Sequence, residues 1–321
     1  MSTLPRKSAG LTFKYLKRDG DPPMSWAALT GRQMRECRAE IAQAVKMFGR
    51  REGMRLARWV FAYHAGMFMR PFATRKPVTI DLTLHGKSQR VSFRKNQSDL
   101  YILRENFIEQ IYSHPDIDGD AVTSVVDLGA NAGLSALYFQ ARYPNARIVC
   151  VEPVSLNVEA LTKNRDLNGY DWSIMQVAAD AQPGEVTLYP NEWWSSSTTT
   201  EHVAQRREGN SGRLERVYAL PPENVKTLTV PQILDENDID VVDVLKMDIE
   251  GAEQAIFEAG VEWLDRVKVL IIEIHDKYVD REFIESKLRE AGFTQQVGRH
   301  GPTDAFHNPR FQLLRKDRRS Q

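Results

Sequence analysis

The sequence predicts a doubly wound α/β domain preceded by a basic, mostly helical extension. Three observations carry this. From Ser124 onward the chain reads strand, helix, strand, helix, strand, with "SVVDL", "ARIVCVE" and "WSIMQVA" as the strands. Those strands are almost continuously apolar, as strands must be when helices cover both faces of a parallel sheet. Residues 1–75 carry 15 Lys and Arg against 5 Asp and Glu, and the remainder carries 28 against 38. A formal net charge of zero therefore hides a basic arm and an acidic body. That balance makes the whole molecule a poor nucleic-acid binder, and suits an arm that docks on its own body or on an acidic partner. The expected division is 1–75 for the extension and 76–321 for the α/β domain.

Residues 1–29 are punctuated by Pro and Gly and read as irregular. Thr30 and Gln33 are spaced as a capping box, after which Met34, Cys37, Ile41, Val45 and Phe48 share one helical stripe. Leu56, Trp59, Val60, Tyr63 and Met67 form a second stripe that Pro71 would end. Both stripes are narrow and flanked by Arg. They fit an accessory pair packed on the main domain, with a membrane-surface or partner-binding helix as the alternative. Leu56, Trp59 and Tyr63 also make a possible seam for a homo-oligomer. "VTIDLTLHG" and "QRVSFR" alternate as a hairpin, and "YILRENFIEQIY" reads as helix. Leu134, Leu137, Tyr138 and Ala141 mark the first crossover helix; Val154, Val158 and Leu161 mark the second. "GEVTLYP" is a short strand. Residues 191–224 then turn polar, with Trp193 and Trp194 before "SSSTTT", a stretch long enough to be a functional or solvated loop. "DVVDVLKMD", a helix using Ala252, Ala255, Ile256 and Ala259, and "VKVLIIEIH" follow. A helix through Ile284, Leu288 and Ala291 closes at Gly292, and Phe311–Arg315 is the last expected strand.

The two cysteines, Cys37 and Cys150, make neither a disulfide framework nor a metal cluster. "MSTLPRKSAG" lacks the apolar core of a secretory signal. The longest apolar stretch, Trp59–Met69, contains His64 and falls short of the ~20 residues a bilayer span requires. A soluble cytoplasmic protein without a transmembrane segment is the expectation.

The chemistry concentrates in "VVDLGANAGLSALYF". Open parallel sheets bind ligands beyond the carboxyl ends of their strands. Gly129 and Gly133 let the backbone turn tightly there. Glu152 ends the next strand, 19 residues after Gly133, where such sheets place an acid on a ribose diol. Asp180 follows the third strand, within reach of an adenine edge. Three acids at three strand ends describe an adenosine-type pocket. A dinucleotide site would want G-x-G-x-x-G, but the third and last motif positions are Asn131 and Leu134. Asp127 adds negative charge that suits a cationic sulfonium bearing an amino group better than a pyrophosphate.

"VVDLGANAGLSALYF", "VCVEP" and above all "VLKMDIEGAE" followed by "VLIIEIH" resemble the FkbM-type S-adenosylmethionine-dependent methyltransferases. The resemblance spans roughly Val78 to Arg315 and leaves the N-terminal 75 residues unaccounted for. It implies a Rossmann-like class I methyltransferase sheet. It also implies that Asp127, Gly129, Asn131 and Gly133 line the methionine and ribose part of S-adenosyl-L-methionine, that Glu152 holds the ribose hydroxyls, and that Asp180 lies by the adenine. Asp248 and Glu250 would face the transferred methyl group and the acceptor. The implied reaction is O-methylation of a hydroxyl on a sugar, a glycan or a small natural product.

Methyl transfer is an in-line displacement that asks for alignment and water exclusion, and a hydroxyl acceptor gains from a nearby base. The candidates are His275, Asp248 and Glu250, with His275 reading equally as a strand-end residue bonded locally. The same three residues offer oxygen and nitrogen ligands to a divalent metal, the lesser reading. Lys246 suggests a salt bridge or a catalytic task, and Glu253 a first-turn acid stabilising its helix. Ser98 and Asp99 are candidates to reach the cofactor crevice. A nicotinamide oxidoreductase on the same sheet would lack its glycine fingerprint. A catalytically inactive module that docks a partner through its basic arm is the alternative from another class.

Overall fold

The computed structural model describes residues 26–64, 77–113, 117–188, 221–276, 278–295 and 303–307. Met67, Pro71, the Trp193–Trp194 loop and the strand expected at Phe311–Arg315 lie outside them. The core is a seven-stranded sheet. Its five parallel strands are β3 (Ser124–Leu128), β4 (Arg147–Val151), β5 (Ser173–Met175), β9 (Val242–Met247) and β10 (Val267–Glu273). Their spatial order is β10-β9-β3-β4-β5. β12 (Thr303–His307) runs antiparallel beside β10, and β11 (Thr294–Gln295) pairs outside it. The chain steps outward from β3 to β5, then returns to the other side of β3 with β9. That reversal opens a crevice between β3 and β9.

Alternation along each strand feeds two cores. Val125, Ile148, Cys150, Val244, Val269 and Ile271 face one side. There they meet the hairpin β1 (Val78–Leu84) and β2 (Lys87–Phe93), helix α2 (Gln97–Arg104), and the crossover helices α3 (Leu134–Arg142) and α4 (Ser155–Asn168). Val126, Leu128, Val149, Val151, Leu245, Met247, Leu270 and Ile272 face the other. Their partners are α5 (Val230–Asp235), α6 (Glu253–Ala259) and α7 (Arg281–Glu290). Covering both faces explains why the strands read as unbroken apolar runs.

The expected N-terminal helical pair is present as α1 (Trp26–His64), two helices joined at Gly49, where φ 73 and ψ 172 leave the helical region, and folded back so that His64 Nε2 lies 3.1 Å from Glu40 Oε2. Several other elements differ from the expectation. The capping box at Thr30–Gln33 is not a helix start, because the run already begins at Trp26. Leu56 and Val60 are buried in the main core, Trp59 stands edge-on to Phe93 at 5.3 Å, and Tyr63 is 6.2 Å from Tyr101. The seam considered for self-association is thus turned onto the chain's own body. Beyond α2 the helix widens into a π turn, Glu105–Glu109, closed by Gln110 in the left-handed region. The strand expected at "WSIMQVA" is split. β5 ends at Met175, and β6 (Ala178–Ala179) leaves the main sheet for a small one, ordered β6-β8-β7 with β7 at Gly184–Leu188 and β8 at Glu223–Leu228.

Candidate active site at the carboxyl edge of the sheet

The register of the strands assembles the site. Leu128 pairs with both Val151 and Met247, Val151 with Met175, and Met247 with Ile272. The next residues, Gly129, Glu152, Asp248 and Glu273, therefore stand side by side along one edge. They open onto a cavity of about 370 Å³. Asn131, Asp180, Glu250 and His275 line it too, as do Ser98, Ser135 and Lys246. Of the residues singled out from sequence, Asp127, Gly133, Asp99 and Glu253 do not line it.

The reasons are local. Asp127 is fully buried, and its Oδ2 accepts from Ser135 Oγ at 2.5 Å while its Oδ1 faces Lys246 Nζ at 3.1 Å. Lys246 also donates to Gly129 O at 2.7 Å and stands 3.6 Å from Asp248 Oδ2. Burial pulls the Lys246 ammonium down, but the charges of Asp127 and Asp248 outweigh it and hold it above its usual range. Lys246 is therefore a buried tie between the glycine turn and the end of β9. A side chain on Gly129, at φ 80, would put its Cβ 1.9 Å from the Asp248 carbonyl oxygen, so only glycine lets these strand ends approach. Gly133 starts α3 in the left-handed region and packs on Leu161 instead.

Glu152 is held by its neighbours. Its Oε2 accepts from the Asn131 N–H at 2.8 Å, and its Oε1 from the Val154 N–H at 2.9 Å and Asn157 Nδ2 at 3.1 Å. Burial raises its carboxyl above the ordinary value, and these donors pull it back in part. Behind it, Arg94 donates to Asn157 Oδ1 at 2.9 Å and is paired with the buried Asp99 at 2.8 Å. Asp99 thus supports the pocket at second hand, through Arg94 and Asn157. Asn131 reaches its place with φ 48, and its Oδ1 accepts from the Ala132 N–H at 2.7 Å. Asp180 sits on the rim, its N–H donating to Leu228 O at 2.9 Å.

The other half of the cavity is acidic. His275 Nε2 faces Asp248 Oδ1 and Glu250 Oε2, each at 3.6 Å, and Glu273 Oε1 at 3.9 Å. Its Nδ1 lies 2.8 Å from Glu253 Oε1, which also accepts from the Ile249 N–H at 3.3 Å. Glu253, read from sequence as a helix-stabilising acid, is fully buried and fixes the His275 ring as well. Burial alone would depress the imidazole. The hydrogen bond to Glu253 and the charges of Asp248, Glu253 and Glu250 overcome it and push the imidazole up to about 10. Glu273 is pushed up to about 8 by burial and by the Asp248 charge, with His275 opposing. Donor atoms of Asp248, Glu273 and His275 lie within 4.8 Å of one another, which a divalent cation can bridge; Glu273 stands there where the sequence suggested Glu250. Glu250 holds φ 59, a strained conformation for a residue with a side chain and one that clusters at functional sites.

Tyr101, Glu105, Tyr112 and Glu273 complete this wall and were not among the sequence candidates. Burial raises the Glu105 carboxyl well above its ordinary value, partly offset by its hydrogen bond to Tyr101. Tyr101 and Glu105 are four residues apart inside an apolar stripe. An acid in such a stripe was the available signal, and the π turn that buries it was not legible.

A parallel sheet whose strand order reverses at a glycine turn, with acids at successive strand ends, is the fold of class I methyltransferases. A model of the methyltransferase FkbM domain matches residues 127–294, and the chain belongs to that family. It is 27% identical over 213 residues to methyltransferase sdnD of Sordaria araneosa, covering 60% of this chain and 81% of that protein. It is 25% identical over 212 residues to the 31-O-demethyl-FK506 methyltransferase FkbM of Streptomyces tacrolimicus, covering 60% and 81%. It is 24% identical over 204 residues to the 2-O-methyltransferase NoeI of Sinorhizobium fredii, covering 61% and 76%. Among the described residues no helix is long and apolar enough to cross a membrane.

Proposed function

We propose that this methyltransferase methylates a hydroxyl group on a sugar, a glycan or a small natural product, using S-adenosyl-L-methionine. The observation that carries the reading is the meeting of two unlike walls in one cavity. One is the Glu152, Asn131 and Asp180 wall, and the other is the Asp248, Glu250, Glu273 and His275 wall. The residues of the first wall fit the cofactor. Glu152 presents a carboxylate already oriented by three donors and retains about one lone-pair site, on Oε2, for a ribose hydroxyl. Gly129 and Asn131 bring backbone, rather than bulky side chains, to the cavity edge. The bound cofactor supplies an electrophilic methyl group on a sulfonium.

This chain's own residues align the acceptor and take its proton. Carboxylates and phenols at Tyr101, Glu105, Tyr112 and Glu273 are hydrogen-bond partners for a polyol. With its imidazole held up to about 10, His275 carries a proton at neutral pH. It therefore acts as donor and counter-charge, not as the base that the sequence suggested. Glu273, pushed up to about 8, is mostly protonated at neutral pH and takes the acceptor's proton only in its ionised fraction, which grows as the pH approaches that value, with Asp248 and Glu250 orienting the hydroxyl beside it. The O-methyl specificity of the FkbM and NoeI relatives supports an oxygen acceptor.

Calorimetric titration with S-adenosylmethionine and S-adenosylhomocysteine tests the pocket. Micromolar binding by the native chain, lost in Glu152→Ala, is expected. Absence of binding by the folded native chain overturns the assignment. Binding without turnover on hydroxylated acceptor pools would favour a module that has kept the fold and lost the chemistry.

A further inference from the structure

The helical pair α1 carries a surface that the methyltransfer reading does not use. Among the described residues four large apolar side chains are exposed, and three of them lie on α1: Met34 at 57%, Met54 at 55% and Phe61 at 56%. The pair exposes Arg35, Arg38 and Lys46 on its first helix and Arg50, Arg51 and Arg58 on its second, and none of its described acidic side chains is exposed. Glu40 is turned inward, 2.9 Å from Arg104 and 3.1 Å from His64, and Glu52 accepts from the Thr83 N–H at 3.0 Å. Glu40 and Glu52 are thus engaged with the body, and the face around Met54 and Phe61 carries cations and apolar groups.

Their arrangement is ordered. At 3.6 residues per turn, Met54 and Phe61 fall together, with Arg50 on one flank and Arg51 and Arg58 on the other. The opposite face, through Leu56 and Val60, is buried in the core. A helix lying on a lipid surface has this outward pattern, apolar groups entering the headgroup boundary and cations flanking them against anionic lipid. A soluble polyanion would satisfy the cations and leave Met54 and Phe61 in water.

We propose that the outer face of the second helix of α1, residues 50–64, docks this chain peripherally on an anionic lipid bilayer. The occupant is chosen by charge complementarity together with the central apolar pair. The proposal does not depend on the acceptor assignment, but it bears on it. α1 packs against α2 and the π turn, where Gln43 Nε2 donates to Ile108 O at 2.5 Å and Arg104 is held by Glu40. That segment supplies Tyr101, Ile102 and Glu105 to the acceptor half of the cavity. A docked chain would thus meet acceptors carried on, or delivered from, the lipid surface.

The test is co-sedimentation of the full chain with vesicles of phosphatidylcholine, with and without phosphatidylglycerol. Partition onto the anionic vesicles alone is expected. Arg51→Gln with Arg58→Gln should weaken it roughly 25-fold, about fivefold for each cation removed. Met54→Ser with Phe61→Ser should weaken it as well, and since both residues are exposed this variant folds. Salt raised from about 0.1 M to about 1 M, shrinking the Debye length from ~10 to ~3 Å, should release the double Ser variant before the native chain. No partition by the native chain at low salt overturns the proposal. So does equal competition by heparin with no effect of the Ser pair, which assigns the face to a polyanion. A dimer in light scattering that the Ser pair abolishes overturns it in favour of a second copy.

Discussion

Replacing Glu253 with Gln should flatten the pH dependence of stability, and the structure sets the size of the effect. In the folded chain the His275 imidazole is held up to about 10 against an ordinary 6.5. A raised folded value means that the folded state keeps a proton the unfolded state has lost. The stabilisation is therefore whole below about pH 6.5, and it drains away as the pH rises through about 10. The slope in that window is about 1.4 kcal/mol per pH unit. Its total is bounded near 5 kcal/mol and falls below that because the ring is 14% exposed. Glu273 adds to it with the same sign. Its carboxyl is raised to about 8, so folding loses stability as the pH rises through that value and Glu273 ionises among acids.

The amide introduced by Glu253→Gln would keep an acceptor for the Ile249 N–H and remove the negative charge 2.8 Å from His275 Nδ1. An opposite charge at that range shifts a neighbour by about 1–3 pH units. His275 should then titrate correspondingly lower, and up to about 4 kcal/mol of the stability lost at alkaline pH should disappear from the curve. Urea unfolding between about pH 6 and about pH 10 measures this directly. The native chain should start more stable at neutral pH and converge on the variant as the pH rises. Two curves of equal slope would refute the reasoning, as would an NMR titration in which native His275 changes near its ordinary value. Either result would return His275 to the role of proton acceptor.

Lys246→Met should cost about 3–5 kcal/mol in unfolding free energy, because it leaves Asp127 as an uncompensated buried carboxylate, and mild acid should recover part of the loss by protonating that group. A change under about 1 kcal/mol, roughly the worth of an exposed pair, would show that the tie is not structural. Gly129→Ala should destabilise by more than about 3 kcal/mol or prevent folding, since the backbone is left-handed and the new Cβ meets the Asp248 carbonyl at 1.9 Å. Gly169→Ala shares the left-handed backbone but meets nothing within 4 Å, so it should cost only about 1–2 kcal/mol. Thermal or denaturant unfolding of the two glycine variants separates crowding from backbone strain, and equal losses would deny the close approach of the strand ends.

What the sequence made legible follows from period and position. Unbroken apolar strands, a glycine turn and acids one residue past the strands are local signals, and parallel register turns local position into a shared edge. That is how Gly129, Glu152, Asp248 and His275 could be placed in one crevice before any coordinates. The misses are those in which one residue's role is set by a distant partner. Asp127 has the right position for a ligand, yet Lys246 and Ser135 claim both its oxygens. Glu253 looks like a helix acid until β10 delivers His275 to it across 22 residues. Glu105 lines the cavity one turn beyond Tyr101 and opens a π turn, a widening that helical periodicity does not foresee. The split of the third strand has the same origin, since Ala178 and Ala179 leave the main sheet only because β8 offers them a partner 49 positions on.

The acceptor half of the site owes its chemistry to these non-local pairings. Any one of its carboxylates, alone at a strand end, would be an ordinary solvated acid. Brought together, Asp248, Glu250, Glu253 and Glu273 surround a single imidazole and hold its proton, while Lys246 ties Asp248 to the glycine turn from behind. The cluster carries more negative groups than cations, so a proton removed from an acceptor has several oxygens to reach and one imidazolium to balance them. A pocket built in this way favours hydroxyl-rich or cationic acceptors and disfavours anionic ones, because another negative charge would meet the carboxylates of Asp248 and Glu250 at short range. Anionic acceptors should therefore be methylated poorly beside neutral polyols of equal size. A preference for a carboxylated acceptor in competition assays would mean that the acids are neutralised when the site is filled, by protons or by a cation at Asp248, Glu273 and His275.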